Sequence, residues 1–211
     1  MNKKINISII GTRGYPYVYS GYETFVKQLS ERLVLKDCNV TVYCHKGLFE
    51  IRPKEIKGIK LVYVPTIETK ILSQPIHSFL SIIHACFSNT DVVLVVNSAN
   101  GPFGLITKLF RIPTAINVDG LEWLRPKWKG LGSIYFKWAS KMATLFYDQI
   151  INDSDEMRKV YLDLFKRDSK VLAYGANIRK STNPNLINAW NVKQREYYLV
   201  IGRLIPRGFR Y

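Results

Sequence analysis

Short apolar runs alternate along the chain with segments that have the periodicity of amphipathic helices. Strands are predicted over residues 5–10, 39–44, 60–64, 91–96, 114–118, 149–151 and 170–172. Helices are predicted over residues 22–35, 76–87, 102–110, 133–147 and 156–165. Short apolar strands separated by helix-length segments are typical of right-handed βαβ units. The pattern predicts an α/β fold with a doubly wound, mostly parallel, Rossmann-like sheet covered on both faces.

The same pattern divides the chain into three parts. Residues 1–180 are predicted to form the Rossmann-like domain, and residues 181–195, rich in Asn, Ser, Thr and Pro, to form a linker. Residues 196–211 begin a fresh apolar strand, expected to be the remnant of a second domain. A length of 211 residues agrees with one complete domain and a remnant of another.

The carboxyl ends of the strands are where an open α/β sheet binds its ligands. After the first strand come Arg13, Gly14 and Gly21, predicted to shape a loop that faces a phosphate or an acceptor. Ser20 and Glu23 at the start of the following helix also match a capping box, in which each side chain satisfies a backbone N–H. Both interpretations stay open for this loop.

Two further strand ends carry candidate residues. Asn100 follows the run at 91–96, where a helix N-cap formed by Asn100 or Ser98 and a ligand contact are equally good explanations. The segment 117–128 is more unusual, since a simple turn needs only Asp-Gly. It combines carboxylates, tryptophans and cations, namely Asp119, Glu122, Trp123, Arg125 and Lys127. We expect this loop to form the acceptor-side wall of a cleft, with Asp119 as a turn cap in the alternative interpretation.

The charge balance favours anionic partners. A formal net charge of +15 comes from 31 Lys and Arg against 16 Asp and Glu. Neither a basic recognition helix nor zinc-ligand spacing is present, so nucleotide and membrane partners are favoured over nucleic acid. The aromatic and basic segment 127–147 is either a face for an anionic membrane surface or a solvated helix with its aromatic rings in the core.

The cysteines and histidines predict neither disulfides nor metal binding. Cys38, Cys44 and Cys86 are odd in number and lack CxxC spacing, which favours core positions in a reducing compartment. The three histidines have no metal-ligand spacing. No apolar run reaches the length of a spanning helix, so the chain is not expected to cross a membrane.

Six segments, taken in order, resemble the N-terminal domain of family-four retaining glycosyltransferases of GT-B fold, specifically the rhamnosyltransferase-like subgroup. They are IIGTRGYP, YSGYETF, VTVYCHK, NVDGLEWLRPKW, NDS and VLAYGAN. The resemblance covers roughly residues 4 to 205. It implies the acceptor-side half of a two-domain enzyme that transfers a sugar from a nucleotide-sugar donor to a lipid-linked or polysaccharide acceptor in cell-surface glycan synthesis. It also implies that no cofactor and no metal are used.

The resemblance gives roles to individual positions. Gly14 and Gly21 match the glycine loop that approaches donor phosphate and acceptor, and Asp119 stands where relatives place a histidine or acid beside the transferring sugar. Residues 207–211 depart from the family pattern, and the glutamates that hold the donor belong to the missing second domain. We therefore expect a fragment, an interrupted gene or half of a split enzyme, inactive alone and located in the cytoplasm or at the inner face of the membrane. A non-catalytic scaffold that retains only the acceptor site is the alternative.

Overall fold

The computed structural model describes residues 3–17, 20–67, 69, 72–118, 120–126, 128–176, 178, 180, 182–193 and 195–200. The chain forms two compact units, Met1–Tyr174 and Gly175–Tyr211. In the described part of the second unit, Pro184–Trp190 forms a 3-10 helix, and residues 196–200 are exposed and have no regular secondary structure. The boundaries expected at residues 180 and 195 stay predictions.

The first unit is built on one eight-stranded sheet. Its strands lie in the order β3-β4-β2-β1-β5-β6-β7-β8, and every neighbouring pair is parallel except β3 and β4. The strands are β1 Asn6–Ile10, β2 Asn39–His45, β3 Glu55–Ile56, β4 Ile59–Val64, β5 Val92–Val96, β6 Thr114–Val118, β7 Gln149–Asn152 and β8 Lys170–Val171. The helices are α1 Gly21–Leu35, α2 Ser73–Cys86, α3 Gly104–Leu109, α4 Leu131–Phe146 and α5 Asp155–Phe165.

Helices cover both faces of the sheet because the apolar residues of its strands point to both sides. One face packs on α1, whose Val26 is fully buried against Ile9 and Val42. The other face packs on α2, α4 and α5, with Ile82 and Tyr161 among its buried residues. The expected doubly wound, mostly parallel α/β fold is confirmed.

The structure adds two features that the pattern did not predict. The antiparallel strand β3 is only two residues long, too short to show a period. Residues 98–103 form a 3-10 helix, so α3 begins at Gly104 rather than at residue 102. Among the described residues, no helix combines the length and hydrophobicity needed to cross a bilayer.

Candidate functional site

The loop after β1 can be formed only with glycine at two positions. Gly11 has φ +105°, and a Cβ there would lie 2.3 Å from the carbonyl oxygen of Val96 at the end of β5. Gly14 has φ +125°, and a Cβ there would lie 2.8 Å from both Cβ and Sγ of Cys44 on β2. L-residues avoid such φ values, and a Cβ at these distances would overlap its neighbours. The loop is therefore packed closely against the carboxyl ends of both strands next to β1.

Glu23 connects this loop to helix α1. The residue is 5% exposed, and its Oε1 accepts a hydrogen bond from the backbone N–H of Arg13 at 3.2 Å. Ser20 Oγ donates to Oε2 of the same carboxylate, and the Ser20 side chain does not cap the helix. The expected capping box is therefore wrong, because Glu23 reaches back to the glycine loop instead of to the N–H of residue 20. Gly21 begins α1 and has open space around it, with no atom within 4 Å of an added Cβ.

Two stacked histidines lie beside the same loop. The backbone N–H of His45 at the end of β2 donates to the carbonyl oxygen of Arg13 at 3.1 Å. The ring of His45 stacks on that of His77 in α2, with centroids 3.8 Å apart and planes 20° apart, and both side chains are buried. Burial, and secondarily the neighbouring His45, lower the pKa of His77 to about 3. Sequence reasoning missed this pair because the residues are far apart in the chain.

The loop after β5 is stabilised by two asparagines. Asn97 has φ 78°, and its Oδ1 accepts from the N–H of Ala99 at 2.9 Å, so Asn97 and not Ser98 or Asn100 caps the 3-10 helix. Asn100 is fully buried, and its Nδ2 donates to the carbonyl oxygen of Val96 at 2.7 Å. The predicted site residue Asn100 therefore lies beside Gly11, which packs on the same strand end.

The loop after β6 is held by contacts among its own side chains. Glu122 pairs through Oε1 with Nη1 of Arg125 at 2.9 Å and accepts through Oε2 from Nε1 of Trp128 at 2.9 Å. Trp123 is only 8% exposed and packs in the core, with its ring centroid 6.2 Å from that of Phe165. Of the predicted residues, Glu122, Trp123 and Arg125 are thus brought together in one loop.

Asp119 and Lys127 lie outside the described residues. Asp119 follows Val118, the last residue of β6, and Lys127 stands between Arg125 and Trp128 in the sequence. Their roles stay predictions.

Asparagines lie near the carboxyl ends of β6 and β7, within the segments NVDGLEWLRPKW and NDS that the sequence analysis singled out. Asn117 Oδ1 accepts from the hydroxyl of Tyr174 at 2.8 Å, and Asn152 Nδ2 donates to the carbonyl oxygen of Val118 at 3.2 Å. Both asparagines are buried. These asparagines therefore hold the strand ends and the loops that follow them at the carboxyl edge.

Buried polar atoms without a hydrogen-bond partner among the described residues occur at this edge. They include Thr12 Oγ1 after β1, Asn100 Oδ1 after β5 and Asp153 Oδ1 after β7. Nearly all buried polar groups in proteins are hydrogen-bonded, so an unsatisfied one needs a specific explanation. Atoms of this kind after three strands of one sheet mark the carboxyl edge as a candidate site for a polar ligand.

A cavity of about 320 Å³ lies at the opposite, amino end of the sheet. Several of its lining side chains are paired with each other: Ser8 Oγ lies 2.9 Å from Thr90 Oγ1, and the Tyr43 hydroxyl lies 3.0 Å from Nδ1 of His84. The carboxyl edge is the better candidate because its polar atoms are less completely satisfied. Across the described part of the chain, no cluster of three or more His, Cys, Asp or Glu could hold a metal ion.

Residues 4–177 match the family described as "Domain of unknown function (DUF1972)". The sequence has no match among curated proteins.

Solved structures share the fold. A sucrose-phosphate synthase from Thermosynechococcus elongatus superposes with a TM-score of 0.69 at 13% identity, over 90% of this chain and 53% of the other. HepE from Anabaena, in complex with UDP, superposes with a TM-score of 0.55 at 15% identity, over 90% of this chain and 50% of the other. UGT2 from Phytolacca americana, complexed with UDP-2fluoro-glucose and pterostilbene, superposes with a TM-score of 0.54 at 10% identity, over 89% of this chain and 58% of the other.

These neighbours are GT-B glycosyltransferases, and the chain spans about half the length of each of the three. Identities this low show the fold alone. The first unit therefore has the Rossmann-like fold of one half of a GT-B structure.

Proposed function

The chain belongs to the DUF1972 family, and we propose that it is the acceptor-side domain of a glycosyltransferase that takes its sugar from a nucleotide-sugar donor. The observation that carries this proposal is the set of unsatisfied polar atoms at the carboxyl edge, on Thr12, Asn100 and Asp153. The fold is shared with glycosyltransferases crystallised with UDP and UDP-sugars, which supports a sugar-nucleotide donor.

The glycine loop is the proposed contact for the transferring sugar and its phosphates. Its backbone is fixed by Gly11 and Gly14, and the N–H and carbonyl groups of Arg13 are bonded to Glu23 and His45, so the loop has a set shape before a ligand binds. Arg13 adds a guanidinium, which pairs well with phosphate oxygens.

Asp119 is the proposed catalytic residue. It follows β6 directly in the sequence, and β6 lies between β5 and β7 in the sheet. A carboxylate at that edge could orient the acceptor hydroxyl or stabilise positive charge on the sugar. Glu122, three residues further along the chain, is paired with Arg125.

The finer assignments form part of the same proposal. We propose a rhamnosyltransferase-like enzyme that acts on a lipid-linked or polysaccharide acceptor in cell-surface glycan synthesis. The three cysteines are free thiols, which supports a reducing, cytoplasmic setting. The donor site and its glutamates would be supplied by a second Rossmann domain.

A transfer assay tests the proposal. The purified chain is incubated with radiolabelled nucleotide sugars and a lipid extract as acceptor, with and without a separately supplied donor domain of GT-B type. We expect transfer only when both halves are present. Asp119→Asn should lower turnover by about 10²-fold or more, the usual effect of removing one group that acts in the transition state.

Matched outcomes separate the alternatives. Asp163→Asn, an exposed residue on α5, is the control and should leave turnover unchanged. If the chain binds acceptor glycans but never supports transfer, it is a scaffold and the enzymatic proposal is wrong. If Asp119→Asn transfers at the parental rate with a normal melting temperature, Asp119 is a turn cap.

A further inference from the structure

Helix α4 has an outward face that the other described residues leave exposed. The opposite side of the helix packs into the core through Phe136, Ala139 and Ala143. The outward side consists of residues spaced three, four and seven positions apart, which places them on one stripe of the helix. We call it the α4 face, and its members are Leu131, Ile134, Lys137, Trp138, Lys141 and Leu145.

The apolar members of the α4 face are strongly exposed. Leu131 is 85% exposed, Ile134 66%, Leu145 51% and Trp138 48%. Single exposed apolar side chains are common, but a contiguous stripe of four on one helix marks an interaction surface. The neighbouring helix α3 contacts α4 and also exposes an apolar side chain, Leu109, to 73%.

The charged residues of helix α4 are all positive. Helix α4 contains no acidic residue, and Lys137 and Lys141 lie along one edge of the stripe. Lys108 of α3 donates from Nζ to the carbonyl oxygen of Leu145 at 2.9 Å, which places a third cation at the end of the face.

This combination fits a bilayer better than a protein partner. Lysine is depleted from protein interfaces, whereas a lysine beside apolar residues and a tryptophan is typical of helices that lie in a membrane interface. Anionic headgroups would meet the lysines while the apolar side chains enter the acyl boundary.

We propose that the α4 face docks the protein onto the surface of an anionic lipid bilayer. The helix lies in the interface plane and does not cross it. The proposal goes beyond sugar transfer and does not depend on it, since it rests on the exposure and charge of α3 and α4 alone.

Vesicle co-sedimentation with the full chain tests the proposal. Vesicles of phosphatidylcholine alone are compared with vesicles that also contain phosphatidylglycerol. We expect binding to the anionic vesicles, weakened by added salt because exposed charges are screened. The double substitution Leu131→Glu with Ile134→Glu should weaken that binding by roughly tenfold or more, because it removes apolar insertion and adds repulsion.

The matched control makes the same change in charge and apolar area elsewhere. Leu35 at the end of α1 is 86% exposed and Leu164 on α5 is 52% exposed, so Leu35→Glu with Leu164→Glu is the control. Binding that survives in the control but not in the α4 variant supports the proposal. Circular dichroism melting confirms that both variants fold.

Three outcomes would overturn the proposal. Equal losses in both variants would show that net charge alone attracts the protein to lipid. Failure of the parent chain to bind anionic vesicles would exclude a bilayer as the partner. A parent dimer in sedimentation velocity that the α4 substitutions convert to monomer would assign the face to a second copy of the chain.

Discussion

The loops after β1 and β6 lie at the same edge of the sheet, but they are fixed by different means. The β1 loop depends on its backbone, because Gly11 and Gly14 fit against neighbouring strands where no side chain can. The β6 loop depends on side chains, with Trp123 buried beneath it and Glu122 bonded to both Arg125 and Trp128.

The difference predicts how each loop responds to substitution. The β1 loop should be destabilised when a single Cβ is added at one of its two glycines, since there is no space for that atom. The β6 loop should tolerate small backbone changes but respond to the loss of a ring or a charge. A functional site built from both combines a fixed backbone surface with an adjustable side-chain surface.

Trp123→Ala should have the largest effect on stability. Its ring is buried in the main core, and deletion of a buried Trp side chain costs about 3–5 kcal/mol in free energy of unfolding. Urea denaturation of the full chain measures the loss. Trp190→Ala is the control, since that ring is 79% exposed and its removal should cost less than about 0.5 kcal/mol. A Trp123→Ala variant of parental stability would show that the ring does not anchor the β6 loop.

Gly14→Ala should destabilise by about 2–4 kcal/mol, the sum of an unfavourable φ and a close contact with Cys44. Gly21→Ala is the matched control from the same loop-to-helix segment. It has open space around it and begins a helix, so we expect a change of less than about 1 kcal/mol, if any in the stabilising direction. Equal effects in thermal melting would contradict the distinction between the two glycines.

Periodicity was sufficient to predict most of the fold. The continuous apolar run that became β5 and the three-to-four spacing that buries Val26 on α1 are local signals, and local signals specify parallel strands and amphipathic helices. The two-residue β3 has too few residues to show a period, and the 3-10 helix before α3 depends on the positive φ of Asn97.

The candidate site was predictable only in part. Gly14 and the segment from Glu122 to Arg125 could be chosen because glycine and charged residues are conspicuous after apolar strands. The burial of Trp123 and the reach of Glu23 to Arg13 could not, because each depends on a partner that only the folded chain brings close. The stacking of His45 on His77 is of the same kind.

His77 should make the stability of the folded chain sensitive to acid. Its folded pKa of about 3 lies below the unfolded value near 6.5, so the unfolded chain binds the extra proton first. The contribution of His77 to the free energy of unfolding is complete above pH 6.5 and is lost as the pH falls toward 3. The loss amounts to about 2 kcal/mol by pH 5.

His77→Leu should therefore flatten the change in unfolding free energy between pH 7 and pH 5, measured by urea denaturation. His84→Gln, on the same helix, is the control for loss of any histidine. If both substitutions flatten the profile equally, the acid sensitivity does not belong to the stacked pair.

Glu122→Gln should have the smallest effect, about 1 kcal/mol, because one charge-assisted hydrogen bond weakens at a partly exposed site. The neutral amide keeps an oxygen for Nε1 of Trp128 but no longer attracts the guanidinium of Arg125. Thermal melting measures the loss. Asp168→Asn breaks the exposed pair with Arg158 and is the matched control, for which we expect a smaller loss because solvent screens an exposed pair. Equal losses would mean that the Glu122 pair is an ordinary surface ion pair, and the shape of the β6 loop would then depend on Trp123 alone.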